Sequence, residues 1–205
     1  MSREIQNRII ACVGRKGVGK STWLGAHLTY CPRVVVFDPL DEYDAVSNRI
    51  ESLRRLEQFL KWSRDREAFA GRYVPAGEPE EEIEQVAALV YDRGSLCLVC
   101  EEIALYTQPG YAPPLLGKLV RTGRHRGIDI CWATQRPAEC SKTITALTDL
   151  WVLFRLTEPR DIEAVSVRCG PEIADRVANL LQHEHFVWDA VSREVIEDSP
   201  RLLKR

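Results

Sequence analysis

A segment near the amino terminus has the residue types and spacing that bind phosphate groups. Residues 14–21 read GRKGVGKS and match the pattern GxxxxGK[ST] in full. Glycines let a backbone wrap closely around phosphates with its N–H groups pointing inward, and a helix that starts at the same segment adds its positive end. The residues predicted to bind ATP through this loop are Gly14, Arg15, Lys16, Gly17, Val18, Gly19, Lys20, Ser21 and Thr22.

Two side chains of this loop have the groups that phosphate chemistry requires. The ammonium group of Lys20 is expected to contact the β- and γ-phosphates, and the Ser21 hydroxyl is expected to bind Mg²⁺. An apolar run precedes the segment and a helical pattern follows it, as in phosphate-binding loops. We therefore predict ATP and Mg²⁺ as cofactors, in preference to an ordinary glycine-rich turn.

Two adjacent carboxylates follow a later apolar run. The sequence LCLVC is followed directly by Glu101 and Glu102. The first is expected to hold Mg²⁺ through water, and the second to orient and deprotonate an attacking water molecule. A second catalytic carboxylate favours hydrolysis over phosphoryl transfer to a small substrate, because a kinase must exclude water. Asp38, which follows another apolar run, is the alternative acidic residue.

A polar residue at the end of a further apolar run is a candidate sensor of the γ-phosphate. Gln135 follows residues 128–133, which read IDICWA. This strand is expected to lie between the strand of the phosphate-binding loop and the strand of the acidic pair, so that a residue at its end would be within reach of a γ-phosphate. Gln135 is therefore predicted to be catalytic, although a polar turn that only caps the strand would have the same sequence.

The remaining sequence alternates strand-like and helix-like patterns, which is typical of a parallel sheet with crossover helices. We predict an α/β fold of three layers, the RecA-like (ASCE) P-loop NTPase fold, as one domain over residues 1–205. A mainly parallel central sheet is flanked by helices and ends in a carboxyl-terminal hairpin. Strands are predicted at residues 8–13, 33–37, 96–99, 128–133, 150–156, 186–189 and 194–197. Helices are predicted at residues 20–30, 45–64, 161–168 and 172–181 and after Pro79, with a loop at 107–114.

Composition restricts the classes of function. The formal net charge of −2 arises from 28 basic and 30 acidic residues, so any contact with nucleic acid must come from local basic patches. The seven cysteines cannot all pair within one chain and are expected to be reduced, as in a cytosolic protein. No run approaches 18 apolar residues, and the amino terminus is polar, so we expect neither a membrane span nor a signal peptide.

Several segments together resemble the FtsK–HerA superfamily of ring-forming ATPases that pump nucleic acid. They are GRKGVGKST at 14–22, FDPLDEYD at 37–44, LCLVCEE at 96–102, RTGRHRGIDICWATQRP at 121–137 and LTDLWVLFRLTEPRDIEAV at 147–165. The fourth segment is the most specific, and the resemblance covers most of the chain. One departure is Glu101, because most members of the superfamily have an aspartate there.

The resemblance implies a homo-oligomeric ring, a hexamer, with ATP at each subunit interface. It also implies an arginine that reaches the γ-phosphate bound by the neighbouring subunit. Arg124 best matches this arginine, with Arg121 and Arg155 as further candidates, and an exposed surface arginine is the alternative for each. Lys118, Arg121 and the loop 106–111 are candidates for contact with DNA.

Within the superfamily, the chain most resembles the small genome-packaging ATPases of tailless icosahedral viruses with internal membranes. The phosphate-binding strand begins within the first ten residues, which leaves little room for an additional amino-terminal domain. The resemblance implies double-stranded DNA as substrate, capsid-vertex or membrane proteins of the virion as partners, and a location in the host cytoplasm or the virion. Alternatives are a HerA-type cellular or plasmid DNA translocase, or an ATPase that powers protein assembly or secretion.

Overall fold

A computed structural model describes residues 7–198, and the chain in this range forms one sheet flanked by helices. The nine strands follow the spatial order β3-β4-β2-β5-β6-β1-β7-β8-β9 within these residues. Their bounds are β1 Ile9–Val13, β2 Arg33–Phe37, β3 Arg49–Ile50, β4 Phe69–Tyr73, β5 Leu96–Cys100, β6 Ile128–Thr134, β7 Leu150–Phe154, β8 His185–Asp189 and β9 Glu194–Asp198.

Helices connect the strands and often begin at a proline. Their bounds are α1 Lys20–Leu28, α2 Leu53–Trp62, α3 Pro79–Arg93, α4 Pro114–Thr122, α5 Lys142–Ala146, α6 Pro159–Cys169 and α7 Pro171–Asn179. Proline is favourable at the first helical position because its fixed φ suits the helix and its missing N–H has no intrahelical partner there. Helix α2 instead begins after Ser52, whose side chain accepts a hydrogen bond from the backbone N–H of Arg55. None of the helices in residues 7–198 is both long and apolar enough to cross a membrane.

Strand direction places several strand ends at one edge of the sheet. The strands from β3 through β7 in the spatial order pair in parallel, whereas β8 and β9 pair antiparallel as a terminal hairpin. The carboxyl ends of β1, β5, β6 and β7 therefore lie at the same edge. Ligands of open α/β sheets bind outside this edge, so it is the expected location of the site.

The sheet has an apolar face on each side, because alternate residues of a strand point to opposite faces. One face includes Ala11, Leu98 and Trp132 and is covered by residues of α2 through α7. The opposite face includes Cys12, Val99 and Ala133 and is covered by α1 and the segment around Tyr43 and Val46. Both faces of the central strands are buried, which explains their nearly continuous apolar sequences.

The predicted fold class and the carboxyl-terminal hairpin are confirmed, whereas one predicted helix is wrong in its first half. Helix α2 begins only at Leu53, because Arg49–Ile50 pairs with β4 as a short strand. Strand β4 was not predicted. Its Gly71 lies so close to α2 and β3 that an added Cβ would be 2.7 Å from Phe59 Cε1 and 3.1 Å from Ile50 Cδ1.

Candidate active site

Residues 14–19 form a loop between the end of β1 and the start of α1. Gly17 and Gly19 have φ values of 77° and 107°, in the left-handed region that favours glycine. Gly14 is required for a different reason, since an added Cβ would lie 2.5 Å from the Cβ of Phe154 on β7. An added Cβ at Gly17 would have no other atom within 4 Å. The loop therefore packs closely on β7 at its start and borders open space at Gly17.

Hydrogen bonds from the loop to neighbouring strands fix its position at the sheet edge. The N–H of Gly14 donates to the carbonyl of Thr134 at 3.2 Å, and the N–H of Arg15 donates to the carbonyl of Arg155 at 3.1 Å. Both acceptors lie at the carboxyl ends of strands, on β6 and directly after β7. The loop is thereby attached to the strand that precedes Gln135.

The ammonium group of Lys20 lies against the loop. Lys20 is 9% exposed, and its Nζ donates to the carbonyl oxygens of Gly14 at 2.7 Å and Arg15 at 3.1 Å. Burial lowers the pKa of Lys20, while the carboxylates of Glu102 and Glu101 oppose that shift. Ser21 and Thr22 are exposed on the first turn of α1, so both side chains are accessible to a ligand at the helix start.

Glu101 has a buried carboxyl oxygen without a hydrogen-bond partner. Its backbone N–H donates to the carbonyl of Phe37 at 3.0 Å, but its Oε1 has no partner. Burial, together with the nearby charge of Asp38, raises the pKa of Glu101 to about 7, and Lys20 opposes the shift. A cation at this oxygen would compensate the cost of burying the charge.

Glu102 is bound by residues at the end of the adjacent strand β6. Its backbone is left-handed, with φ 40° and ψ 57°. Oε1 accepts from Thr134 Oγ1 at 2.9 Å and from the backbone N–H of Gln135 at 3.1 Å, and Oε2 accepts from Gln135 Nε2 at 3.1 Å. The structure therefore brings Glu102 and Gln135 into direct contact.

Asp38, the alternative acidic residue, has structural partners. It is 1% exposed, accepts hydrogen bonds from the backbone N–H groups of Tyr43 and Glu42, and pairs with the buried Arg72 at 3.4 Å. Strand β2, which Asp38 follows, is separated from β1 by both β5 and β6, whereas β5 is separated from β1 by β6 alone. These contacts fix the loop after β2, and they favour the Glu101–Glu102 pair for the hydrolytic role.

The candidate arginines lie at different ends of the sheet. Arg124 is exposed in a short 3₁₀ turn, Gly123–Arg126, just before β6, whereas Gln135 directly follows the same strand. The seven residues of β6 span roughly 23 Å. Arg124 is therefore remote from Lys20 of its own chain. Arg121 is exposed at the end of α4, and Arg155 follows β7 at the nucleotide edge with its Nε buried and unpartnered.

The candidate DNA-contacting loop 106–111 includes two buried residues, Tyr106 and Thr107. Lys118 is exposed on α4, in a stretch without acidic residues between Glu102 and Asp129. Tyr106, however, is 1% exposed, and its hydroxyl donates to the carbonyl of Glu101 at 3.1 Å. Residues 108–111 of the loop are exposed and remain candidates for contact with DNA, whereas Tyr106 binds the backbone of the acidic pair.

The residues that surround the site fit Mg²⁺ bound together with nucleotide phosphates. Among residues 7–198, no group of three or more histidine, cysteine or acidic side chains could hold a metal ion. Magnesium typically keeps several waters and uses one or two protein groups plus substrate phosphates. The Glu101 Oε1 atom has no hydrogen-bond partner and the Ser21 side chain is exposed, and these are the oxygen atoms that would bind Mg²⁺ here.

Two residues of the site were not predicted from the sequence. Thr134 is fully buried, donates to Glu102, and accepts from the backbone N–H of Arg136 at 3.0 Å. Its position directly before Gln135 was the available signal. The second residue, His183, lies near Gly19. The sequence around it is an isolated histidine in a polar turn, which does not indicate contact with the phosphate-binding loop. The tail at residues 201–205 lies outside the described residues.

The fold and the phosphate-binding loop define the chain as having a P-loop NTPase fold. No protein-family model matches the sequence. Protein P9 of Pseudoalteromonas phage PM2 is 31% identical to it over 138 residues, which cover 64% of this chain. The match spans only 61% of the length of protein P9.

Solved structures share the fold over nearly the whole chain. The genome packaging NTPase B204 of Sulfolobus turreted icosahedral virus 2, in complex with AMPPCP, has a TM-score of 0.76 at 19% identity and covers 97% of this chain and 100% of its own. VirB4 of Thermoanaerobacter pseudethanolicus has a TM-score of 0.63 at 12% identity and covers 95% of this chain and 90% of its own. The predicted resemblance to small viral genome-packaging ATPases is thus confirmed as a resemblance.

Proposed function

We propose that the chain is an ATPase that translocates double-stranded DNA and packages it into a preformed viral capsid as a ring of identical subunits. The observation that carries the proposal is the alignment of three strand ends at one edge. The loop of Lys20 follows β1, Gln135 follows β6, and Glu102 follows β5, with β6 between the other two strands. The resemblance to protein P9 and B204 supports a viral role.

In this proposal, the chain's own residues divide the work of hydrolysis. The loop amides and Lys20 bind and neutralise the phosphates. Ser21 and Glu101 would hold Mg²⁺, which when bound stabilises negative charge on the β- and γ-phosphates. Glu102 accepts a proton from the attacking water. Gln135 senses the γ-phosphate and transmits its presence to Glu102, whose carboxylate it already contacts.

We propose that Arg124 acts on the nucleotide of the neighbouring subunit. Its position at the opposite end of β6 keeps it from the site of its own chain. An arginine supplied by another subunit stabilises the charge of the phosphoryl-transfer transition state. In the proposed ring, Arg124 of each subunit would lie at the interface with the next subunit and complete the nucleotide site there. We expect the ring to be a hexamer.

DNA contact is assigned to the basic surface of α4, where Lys118 and Arg121 are exposed, and to the exposed residues 108–111 of the preceding loop. Such residues would bind the phosphate backbone without reading sequence, which suits a packaging motor. Capsid-vertex or membrane proteins of the virion are the proposed partners that would hold the ring, in the host cytoplasm or in the particle.

The proposal is tested by ATP hydrolysis with and without linear double-stranded DNA at low and high salt. We expect DNA to stimulate hydrolysis, and we expect the stimulation to fade with salt because phosphate contacts release counterions. Hydrolysis that is indifferent to DNA, at protein concentrations where rings are seen by native mass spectrometry, would contradict the DNA motor and favour an ATPase of protein assembly or secretion.

A HerA-type cellular or plasmid translocase is the second candidate. This candidate is supported by the fold that the chain shares with VirB4, a protein of the bacterium Thermoanaerobacter pseudethanolicus. Both candidates predict DNA-stimulated hydrolysis. Only filling of empty capsids with DNA, driven by the added protein and ATP, distinguishes packaging from translocation on free DNA.

A further inference from the structure

The turn between α7 and β8 lies at the phosphate-binding edge of the sheet. Strand β8 runs antiparallel to β7, and its first residue, His185, pairs with Phe154, the last residue of β7. Residues 180–184, which precede β8, must therefore lie beside the carboxyl end of β7. The loop residue Gly14 packs on that same strand end, against Phe154.

This turn has a defined conformation that includes a strained residue. The N–H of Leu181 donates to Glu184 Oε2 at 2.8 Å, and the N–H of Glu184 donates to the carbonyl of Leu181 at 3.2 Å. His183, between them, has a φ of 69°, which is unfavourable for a residue with a side chain. Strain of this kind is often found where a side chain is held toward a ligand.

The imidazole of His183 lies next to the last residue of the phosphate-binding loop. A Cβ added to Gly19 would be 3.6 Å from His183 Nδ1 and 3.5 Å from Phe154 Cε1. The ring of Phe154 also stacks on that of His185, with their centroids 4.9 Å apart. Since Gly19 directly precedes α1, His183 stands beside the amino end of that helix and is exposed to solvent.

We propose that His183 contacts the bound nucleotide at its ribose and α-phosphate, by donating an imidazole N–H to an oxygen there. This inference rests on the proposed nucleotide site. Glu102 and Gln135, which are proposed to act at the γ-phosphate, lie at the ends of β5 and β6 on one side of the loop, so the α-phosphate and ribose would extend toward β7 and β8 on the other side. An imidazole has an N–H donor in either protonation state, which suits a phosphate oxygen or a ribose hydroxyl.

The test compares two ligands that differ in the part His183 is proposed to contact. Dissociation constants of ATP and of inorganic tripolyphosphate are measured by calorimetry for the wild type, His183→Ala and His183→Asn. In His183→Ala we expect ATP affinity to fall roughly tenfold, the loss typical of one hydrogen bond to a charged group, with tripolyphosphate affinity unchanged. Asparagine tolerates a positive φ and keeps a donor, so His183→Asn should retain part of the affinity.

A matched control and a third ligand separate the alternatives. His125→Ala, at an exposed position before β6, should leave both affinities unchanged. With 2′,3′-dideoxy-ATP, the loss caused by His183→Ala persists if the contact is to the α-phosphate and disappears if it is to the ribose.

Other outcomes would overturn the contact. Equal loss of ATP and tripolyphosphate affinity in His183→Ala would mean that the residue only supports the shape of the loop. Unchanged ATP affinity would remove any role for His183 in binding. Failure of the wild type to bind either ligand would instead refute the proposed nucleotide site itself.

Discussion

The carboxylate of Glu102 is hydrogen-bonded to Gln135 at both of its oxygens. Oε1 accepts from the backbone N–H of Gln135 and Oε2 accepts from its side-chain amide, each at 3.1 Å. The proposed base and the proposed γ-phosphate sensor therefore form one unit across β5 and β6. If Gln135 turns toward a γ-phosphate, Oε2 loses its partner and becomes free to accept a proton from water.

Replacing Glu102 by glutamine should abolish hydrolysis without preventing nucleotide binding. The amide keeps the size of the side chain but cannot accept a proton, and a positioned general base typically contributes about 10²–10⁴-fold to the rate. Single-turnover hydrolysis and ATP affinity, measured on the same preparation, check this prediction. Retention of more than a tenth of the wild-type rate would assign the base to another residue.

Replacing Gln135 by alanine should lower kcat by roughly 10–100-fold, because the amide that turns toward the γ-phosphate and positions it against Glu102 is lost. ATP affinity should change by less than about threefold, because the loop and Lys20 still bind the phosphates. The double variant Glu102→Gln/Gln135→Ala should be no slower than Glu102→Gln alone, since residues that act as a unit are not additive. A stable Gln135→Ala protein with normal kcat would instead indicate that the residue only caps β6.

Replacing Gly14 by alanine should destabilise the fold by about 1–3 kcal/mol, because the new methyl group would overlap Phe154 Cβ at 2.5 Å. Urea unfolding measures the loss. Gly110→Ala is the matched control, because an added Cβ there has no atom within 4 Å and its φ is not in the left-handed region. Its stability should stay within about 0.5 kcal/mol of the wild type. Equal stability of all three proteins would mean that the loop does not pack on β7 as described.

Most of the proposed site could be predicted from sequence because each part is a local motif at the end of a strand. The phosphate-binding loop, the pair Glu101–Glu102 and Gln135 each follow an apolar run. Parallel pairing then brings these strand ends to one edge, whatever the lengths of the connections between them. The motifs alone do not place β6 between β1 and β5. That order followed from the resemblance to the FtsK–HerA superfamily.

The parts that could not be predicted depend on contacts between distant segments. Strand β4 contains Gly71 and Arg72, which are unusual in a buried strand. Arg72 is accommodated because Asp38, Asp41 and Asp44 from the loop after β2 surround its guanidinium group at 3.3–3.4 Å. His183 likewise approaches the loop only because β8 runs antiparallel to β7. No local pattern encodes either arrangement.

The buried Glu101 should make both stability and Mg²⁺–ATP binding depend on pH. Its pKa is raised to about 7, so the folded state favours the protonated carboxyl. The stabilisation from this group is complete below the ordinary pKa and is lost as pH rises through about 7. Glu101→Gln should remove this loss, roughly 2–3 kcal/mol without ligand, in urea unfolding between pH 5 and 8.5.

Mg²⁺–ATP binding should show the opposite trend, because a metal ligand must be ionised. In the wild type the affinity should be roughly tenfold lower at pH 6 than above pH 8, beyond the titration of ATP itself. Glu101→Gln should bind weakly and show only the titration of ATP. Glu67→Gln, at an exposed loop position, is the control and should behave as the wild type. A wild-type profile identical to that of Glu101→Gln would exclude Glu101 from the metal site.

Mixing two inactive variants tests whether Arg124 completes the site of a neighbouring subunit. Arg124→Ala should lower kcat by roughly 10³-fold or more and leave ATP affinity nearly unchanged, because the arginine acts on the transition state. Glu102→Gln is inactive for a different reason and retains Arg124. In rings formed from equal amounts of both, some interfaces join the nucleotide site of an Arg124→Ala subunit to a Glu102→Gln subunit. Such an interface is complete, because the first subunit supplies Glu102 and the second supplies Arg124.

Roughly a quarter of the interfaces in such a random mixture should be competent, so hydrolysis should rise well above that of either variant alone. Recovery should require subunit exchange, and it should therefore be absent when the two variants are assembled separately and mixed briefly. A mixture of Arg124→Ala with Arg124→Ala/Glu102→Gln supplies no arginine and should stay inactive. If the first mixture also stays inactive while native mass spectrometry shows mixed rings, Arg124 is not the shared residue. The same mixing experiment with Arg155→Ala would then test the arginine that already lies at the nucleotide edge.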